Sequence, residues 1–261
     1  MEASPLKFTW TAGIALFIVR SKTKHRELGR QTGQVQREAL MSIKLFGFWR
    51  SMATFRVRIA MNLKGIKPDE EVSIDLMKGR QFDASYKAVN PQMVLPALLD
   101  GEPPVLFQSM AILEYIDERF PKPPLLPSDA RGRARVRGLA QIVASDSHPL
   151  YVPRVRNYLQ KELKLDEAGV NKWCHHWQAT ALQAIETHLA GDKETGRYCH
   201  GDSPTLADIC LVTQIVACRL FKLDLSPFPT SVRVADECLK LDAFDRAHPL
   251  KQPDTPKDLS H

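Results

Sequence analysis

The chain has 261 residues, 44% hydrophobic and 25% charged, a balance that suits one large globular core or two small ones. No apolar run approaches the roughly 20 residues that cross a bilayer; the nearest, inside TAGIALFIVR, covers only Ile14 to Val19. The formal charge is +6, but residues 1–40 hold seven Lys and Arg against three Glu and so supply +4 of it. The rest has no basic stripe interleaved with aromatics, which argues against nucleic acid as a partner.

Five cysteines, Cys174, Cys199, Cys210, Cys218 and Cys238, all fall in the second half. Their number is odd and no pair has CxxC or zinc-ligand spacing, so a reduced, cytoplasmic compartment and no metal site are expected.

In chain order, residues 1–40 read as a basic extension without a clear apolar period. Met41 is the expected functional start; a targeting peptide is the alternative, although no small-residue cleavage site is evident. From Ile43 to Phe48 the text is an apolar strand. Ser51 then stands at an N-cap position, with Phe55, Ile59 and Leu63 at helical spacing and Gly65 as the stop. Val72, Ile74 and Leu76 alternate as a second strand. NPQMVLP predicts a turn, Ala97 to Leu99 and Val105 to Phe107 two further strands, and Ser109 the start of a helix through Ile116. The proline-rich segment 121–129 predicts a linker between a domain at 41–122 and a second at 130–261.

Beyond the linker only helical patterns occur, over roughly 131–163, 166–190, 205–220 and 228–242. Thr205 and Asp208 have the spacing of a capping box. Taken alone, Ser51 and Ser109 both fit plain helix caps, Leu95–Pro96 a turn before a strand, and His148 an isolated structural histidine.

Several motifs together resemble the glutathione transferases, and among them the zeta class. They are RSxxxxRVRIAxxLKGI at 50–66, NPxxxxP at 90–96, QSxAILEY at 108–115, YCHGDSPTLADICLVTQ at 198–214, RLFKLDLSPFPT at 219–230 and HPLKQPDTP at 248–256. The resemblance runs from residue 43 to about 257. It implies a thioredoxin-like α/β domain followed by an all-α domain, glutathione as cofactor, and a homodimer with its sites near the interface. It also implies a reaction, the glutathione-dependent cis–trans isomerisation of maleylacetoacetate in tyrosine and phenylalanine breakdown. Maleylpyruvate is the close substitute, and conjugation of small halogenated electrophiles is the alternative.

The resemblance also assigns residues. Ser51 is expected to hydrogen-bond the glutathione sulfur. A thiol has a pKa of about 8.5, and a hydroxyl donor at a helix N-terminus favours its thiolate. Leu95, before a cis-proline, is expected to pair with the cysteinyl backbone of glutathione. Gln108 and Ser109 are expected to hold its γ-glutamyl end, Gln81 to lie near its glycyl end and His148 to lie beside it. Tyr151 and Val152 stand where relatives often have paired asparagines. Arg50 and Arg219 are the candidates for a dicarboxylate electrophile, because a guanidinium matches carboxylate geometry and stays charged. Arg56 and Arg58 are expected at the surface or an interface.

The family motif commonly reads Ser-Ser-Cys after the arginine, whereas this chain reads Ser51-Met52-Ala53. Met52 makes the site more apolar. No cysteine precedes Cys174, which argues against reductive dehalogenation through a thiol of the first domain. Isomerisation needs only an activated glutathione sulfur and anchored carboxylates: the thiolate adds to the double bond, the bond rotates and the thiolate leaves.

Overall fold

The apolar run after Ser42 forms strand β1, Ile43–Gly47, an inner strand of a four-stranded sheet of order β2-β1-β3-β4. The computed structural model describes residues 42–259. The expected extension at 1–40 and the Met41 start lie outside those residues. β1 pairs parallel with β2 (Glu70–Ser73) and antiparallel with β3 (Ala97–Asp100), which pairs antiparallel with β4 (Leu106–Phe107). β2 ends earlier than the alternation Val72, Ile74, Leu76 predicts. The Ile74 N–H donates to Gly47 O at 2.8 Å, and β1 stops there, so no ladder remains for Leu76. Ile74 and Leu76 instead pack on the small cluster Phe48, Trp49, Tyr86 and Leu95.

Helix α1, Met52–Leu63, meets the sheet at Gly47 and packs on three helices described below. Gly47 lets it approach, because a Cβ there would come within 2.5 Å of the Thr54 methyl carbon. Every residue from Met52 to Met61 is buried. This corrects the surface placement expected of Arg56 and Arg58, which are 2% and 6% exposed. As i, i+2 neighbours they do point apart, but α1 is buried on all its faces there. Arg58 ion-pairs with Glu71 at 3.0 Å, at the sheet edge.

A single 3-10 turn, Arg80–Phe82, and a short helix α2, Ala84–Val89, precede β3; neither shows in the apolar pattern. Helix α3, Ser109–Arg119, closes the α/β part. The core here joins Leu45, Phe55, Ile59, Leu98, Ile112 and Ile116.

After the irregular segment 120–129 the described chain is helical: α4 (Ala130–Gln141), α5 (Pro153–Lys161), α6 (Glu167–Gly191), α7 (Leu206–Leu220), α8 (Pro229–Leu239) and α9 (Asp242–Asp245). The helical pattern expected over roughly 131–163 is divided between α4 and α5. A π turn at Ile142–Ser147 and a 3-10 turn at His148–Leu150 intervene. Pro149 and Pro153 lack the N–H groups a continuous helix needs.

α7 is central, buried from Leu206 to Cys218, and packs on α1, α4 and α8. Its cap is the expected pair: the Asp208 carboxylate accepts from the Thr205 N–H and hydroxyl, both at 2.8 Å, and from the Cys199 N–H at 2.7 Å. The architecture is therefore a thioredoxin-like α/β domain followed by a helical part. All five cysteines are free and buried. Among the described residues no helix is long and apolar enough to cross a membrane.

Candidate active site

The turn from β1 into α1 carries Arg50 and Ser51. Ser51 has extended backbone (φ −77°, ψ 112°), and its Oγ accepts from the Thr54 N–H at 3.2 Å. It is thus a true N-cap, yet only part of its hydroxyl is used. Its own proton finds no acceptor among the described residues. The first turn of any helix also leaves N–H groups unpaired and a partial positive charge. The turn itself is tied down from the far end of the chain. The Asp254 carboxylate accepts from the Trp49 N–H at 3.0 Å and from the Ser73 hydroxyl at 2.6 Å. The motif HPLKQPDTP therefore holds the loop that presents Ser51.

Opposite Ser51 the Leu95–Pro96 peptide is cis, as the resemblance implies. Gln108 sits at φ 68°, ψ 117°, a backbone conformation that L side chains rarely adopt and that clusters at functional sites. Its amide donates to the Gln92 side-chain oxygen at 2.9 Å. Ser109, 6% exposed, opens α3 and directs that helix's N-terminus into the same cleft.

Behind Ser109 lies Arg56. Its Nη1 donates to Ser109 Oγ at 3.1 Å and its Nε to Thr213 Oγ1, on α7, at 3.2 Å. Its Nη2 is buried without a partner. Gln81, 8% exposed on the 3-10 turn, likewise leaves its buried Oε1 unpaired.

The helical part supplies the other wall. The π turn brings His148 to the cleft, in keeping with the frequency of such bulges at functional sites. Burial, then the Arg56 and Arg154 charges, hold its imidazole well below the ordinary histidine range, so it is neutral at pH 7. Tyr151 stands edge-on to His148 at 5.5 Å and to Phe221 at 5.8 Å, and its hydroxyl donates to the Gln214 side-chain oxygen at 2.7 Å. Burial pushes the Tyr151 phenol upward. The Arg156 guanidinium lies over the Phe221 ring at 5.4 Å.

These walls enclose a cleft of about 620 Å³ between the α/β and helical parts, within the range of about 300–1,000 Å³ typical of small-molecule sites. Arg50, Arg56, Arg154 and Arg156 line it, and among the described residues no Asp, Glu or Lys does. Arg50 and Arg154 are exposed at the cleft, whereas Arg56 is buried and Arg156 half-buried, all four without a carboxylate partner among the described residues; the unpaired buried charge favours an anion as ligand. Of the residues singled out in the sequence, Arg50, Ser51, Met52, Gln81, Leu95, Gln108, Ser109 and His148 all reach this cleft.

Arg219 does not. At the end of α7 it turns outward and pairs with Asp236 of α8 at 2.7 Å, while Leu220 and Phe221 take the cleft side. The sequence reading places Arg56 at the surface or an interface, whereas it is buried beside the cleft. It does not single out Arg154 or Arg156, which follow Pro153 on α5.

The orphaned atoms test the fit of glutathione. Arg56 Nη2 seeks an acceptor and Gln81 Oε1 a donor. Glutathione offers carboxylates for the one and N–H groups for the other, so the residues present fit it.

Comparison with known proteins agrees. Residues 41–118 match the model of the glutathione S-transferase N-terminal domain. The maleylpyruvate isomerase of Ralstonia sp is 47% identical over 213 residues, 82% of this chain and 100% of that one. A holo maleylpyruvate isomerase described as a bacterial zeta-class glutathione S-transferase superposes with a TM-score of 0.79 at 47% identity, covering 82% and 100%. The maleylacetoacetate isomerase of Anaeromyxobacter dehalogenans 2CP-1 superposes with a TM-score of 0.73 at 42% identity, covering 83% and 98%; it holds dicarboxyethyl glutathione and citrate in its active site. With this cleft, fold and likeness, the chain belongs to the zeta class of glutathione transferases, alongside the maleylacetoacetate and maleylpyruvate isomerases.

Proposed function

We propose that this chain is a glutathione-dependent cis–trans isomerase of maleylacetoacetate, with maleylpyruvate as the close alternative substrate. The observation that carries the reading is a helix-capping serine whose hydroxyl proton is free and a cleft lined by four arginines and no acid among the described residues. The relative that holds a glutathione thioether with two carboxylates supports it.

Bound glutathione supplies a thiolate that can add to an activated double bond and leave again. Ser51 donates its free proton to the sulfur, and the start of α1 adds its partial charge, so the sulfur stays ionised. Ser109 and Gln108 take the γ-glutamyl carboxylate, with Arg56 behind Ser109 as its buried counter-charge. Leu95 offers its backbone to the cysteinyl unit and Gln81 its carbonyl oxygen toward the glycyl end. His148, neutral, lines the site without adding charge. Arg50 and Arg154 hold a carboxylate of the electrophile, and Met52 covers its carbon chain. No proton needs to be transferred to or from a protein group for the double bond to change geometry.

Conjugation of small halogenated electrophiles is the second reading, favoured by the apolar Met52 at the sulfur site. The deciding assay is glutathione-dependent loss of maleylacetoacetate absorbance with purified protein. Catalytic loss with free thiol undiminished supports isomerisation. Stoichiometric thiol consumption with a halide, and no isomerisation, refutes it.

The finer readings belong to the same proposal: a homodimer, a cytoplasmic location and a domain boundary between residues 122 and 130. Met77 and Phe82, 65% and 60% exposed at the rim of the cleft, offer apolar surface that a second copy would cover. Sedimentation of the purified chain at twice the monomer mass is the expected result.

A further inference from the structure

Several buried or half-buried arginines of the described residues face a carboxylate: Arg58 pairs with Glu71, Arg135 with Asp192 and Arg137 with Glu114. Arg156 meets no carboxylate among the described residues. Its Nε is buried and without a partner, while its guanidinium is laid over Phe221 on the wall of the cleft. An aromatic face holds a guanidinium in one plane and leaves its donor edge free, so the fork is set before a ligand arrives. Phe221 is itself braced edge-on by Tyr151.

Across the cleft stands Arg50, at the start of α1, and its like charge is felt at Arg156. Two arginines from opposite halves of the molecule line one cleft, and among the described residues no acid lines it with them. An anion bound there would relieve the cost of the half-buried, unpartnered Arg156 charge. Arg219, the arginine that the sequence resemblance offers for the electrophile, does not line the cleft and pairs with Asp236 at the surface.

We propose that Arg156, stacked on Phe221, takes the second carboxylate of the electrophile opposite Arg50 and so makes the site select dicarboxylates over monocarboxylates. This rests on the proposed isomerase reading for its substrate, but not for its test, which needs binding alone. Arg156 is a specificity residue on this account, remote from the sulfur.

The test uses the full chain loaded with glutathione, titrated calorimetrically with succinate and, in parallel, butyrate. In Arg156→Leu the succinate affinity is expected to fall by about 10- to 100-fold, the range for losing a hydrogen bond to a charged group. Butyrate and glutathione affinities should change by less than about threefold. Arg156→Lys should recover part of the succinate affinity, since it restores charge but not the fork. Arg219→Leu should leave succinate binding unchanged.

The thermal midpoint of ligand-free Arg156→Leu should hold or rise, because an unpartnered cation has been removed. Succinate binding that survives in Arg156→Leu, or that is lost in Arg219→Leu, overturns the inference. A ligand-free Arg156→Leu that melts early while Arg156→Lys loses no succinate affinity overturns it too. Turnover of maleylacetoacetate by the unaltered chain is scored separately. Turnover with Arg156-independent succinate binding sinks only this inference; Arg156-dependent binding without turnover sinks only the isomerase reading.

Discussion

Ser51 performs two tasks that substitution can separate. As an N-cap it accepts from the Thr54 N–H; as the proposed sulfur partner it donates its proton. Ser51→Ala removes both. Loss of a cap costs about 1 kcal/mol, which lowers the melting temperature by about 2–4 °C in a chain of this size class. Loss of a hydrogen bond to a charged sulfur costs about 1.5–3 kcal/mol. At about 1.36 kcal/mol per unit, the pKa of bound glutathione should then rise by roughly 1–2 units. Ser51→Gly removes the hydroxyl equally, but glycine at an N-cap costs only a few tenths of a kcal/mol relative to serine. The two variants should therefore share one thiol pKa and differ in melting temperature, with glycine the more stable. Thiolate absorbance of the binary complex against pH reads the first quantity and a thermal melt the second. In the unaltered protein glutathione should bind more tightly as pH rises from the bound to the free thiol pKa, and then level off, because the bound pKa is the lower one. An unchanged thiol pKa in both variants refutes the sulfur role and leaves Ser51 as a cap alone.

Arg56→Met removes the buried cation behind Ser109. Because no carboxylate is stranded by the change, the ligand-free melting temperature should move by less than about 4 °C, while the Kd for glutathione should rise by about 10- to 100-fold; a large drop in melting temperature with unchanged Kd refutes the counter-charge role. Asp254→Ala frees the Trp49 N–H and the Ser73 hydroxyl, so the turn bearing Ser51 loosens. Its bound-thiol pKa should rise in the same direction as in Ser51→Ala, and an unchanged pKa shows that Asp254 does not position the serine. His148 and His248 are both held below the ordinary histidine pKa, His148 by burial and the Arg56 and Arg154 charges, His248 by burial and Lys251. The unfolded chain therefore binds more protons than the folded one below about pH 6.5, and stability falls as pH drops from there. His148→Asn should flatten that slope in melts between about pH 6.5 and 5; an unchanged slope refutes the assignment.

The sequence by itself determined the elements with strong local signals. The apolar run at 43–47, the Ser51 cap and the Thr205–Asp208 box are written in residues only a few positions apart, and the structure repeats them. Motif spacing likewise brought eight of the nine chosen site residues to the cleft, since cap, cis-proline turn and strand-to-helix turn are local features.

Only the tertiary structure decided what each arginine does. A guanidinium has the same composition whether it is solvated, paired or aimed at a ligand, and its partner lies far away in sequence. Arg56 became the buried base of the site because α1 packs on α3, α7 and α9. Arg219 lies outside the cleft, paired at the surface with Asp236 of the neighbouring helix. Arg156 entered it because the break between α4 and α5 turns that helix toward Phe221. Charge is settled by the nearest opposite charge, and which charges become neighbours is a property of the packed helices rather than of the order of residues.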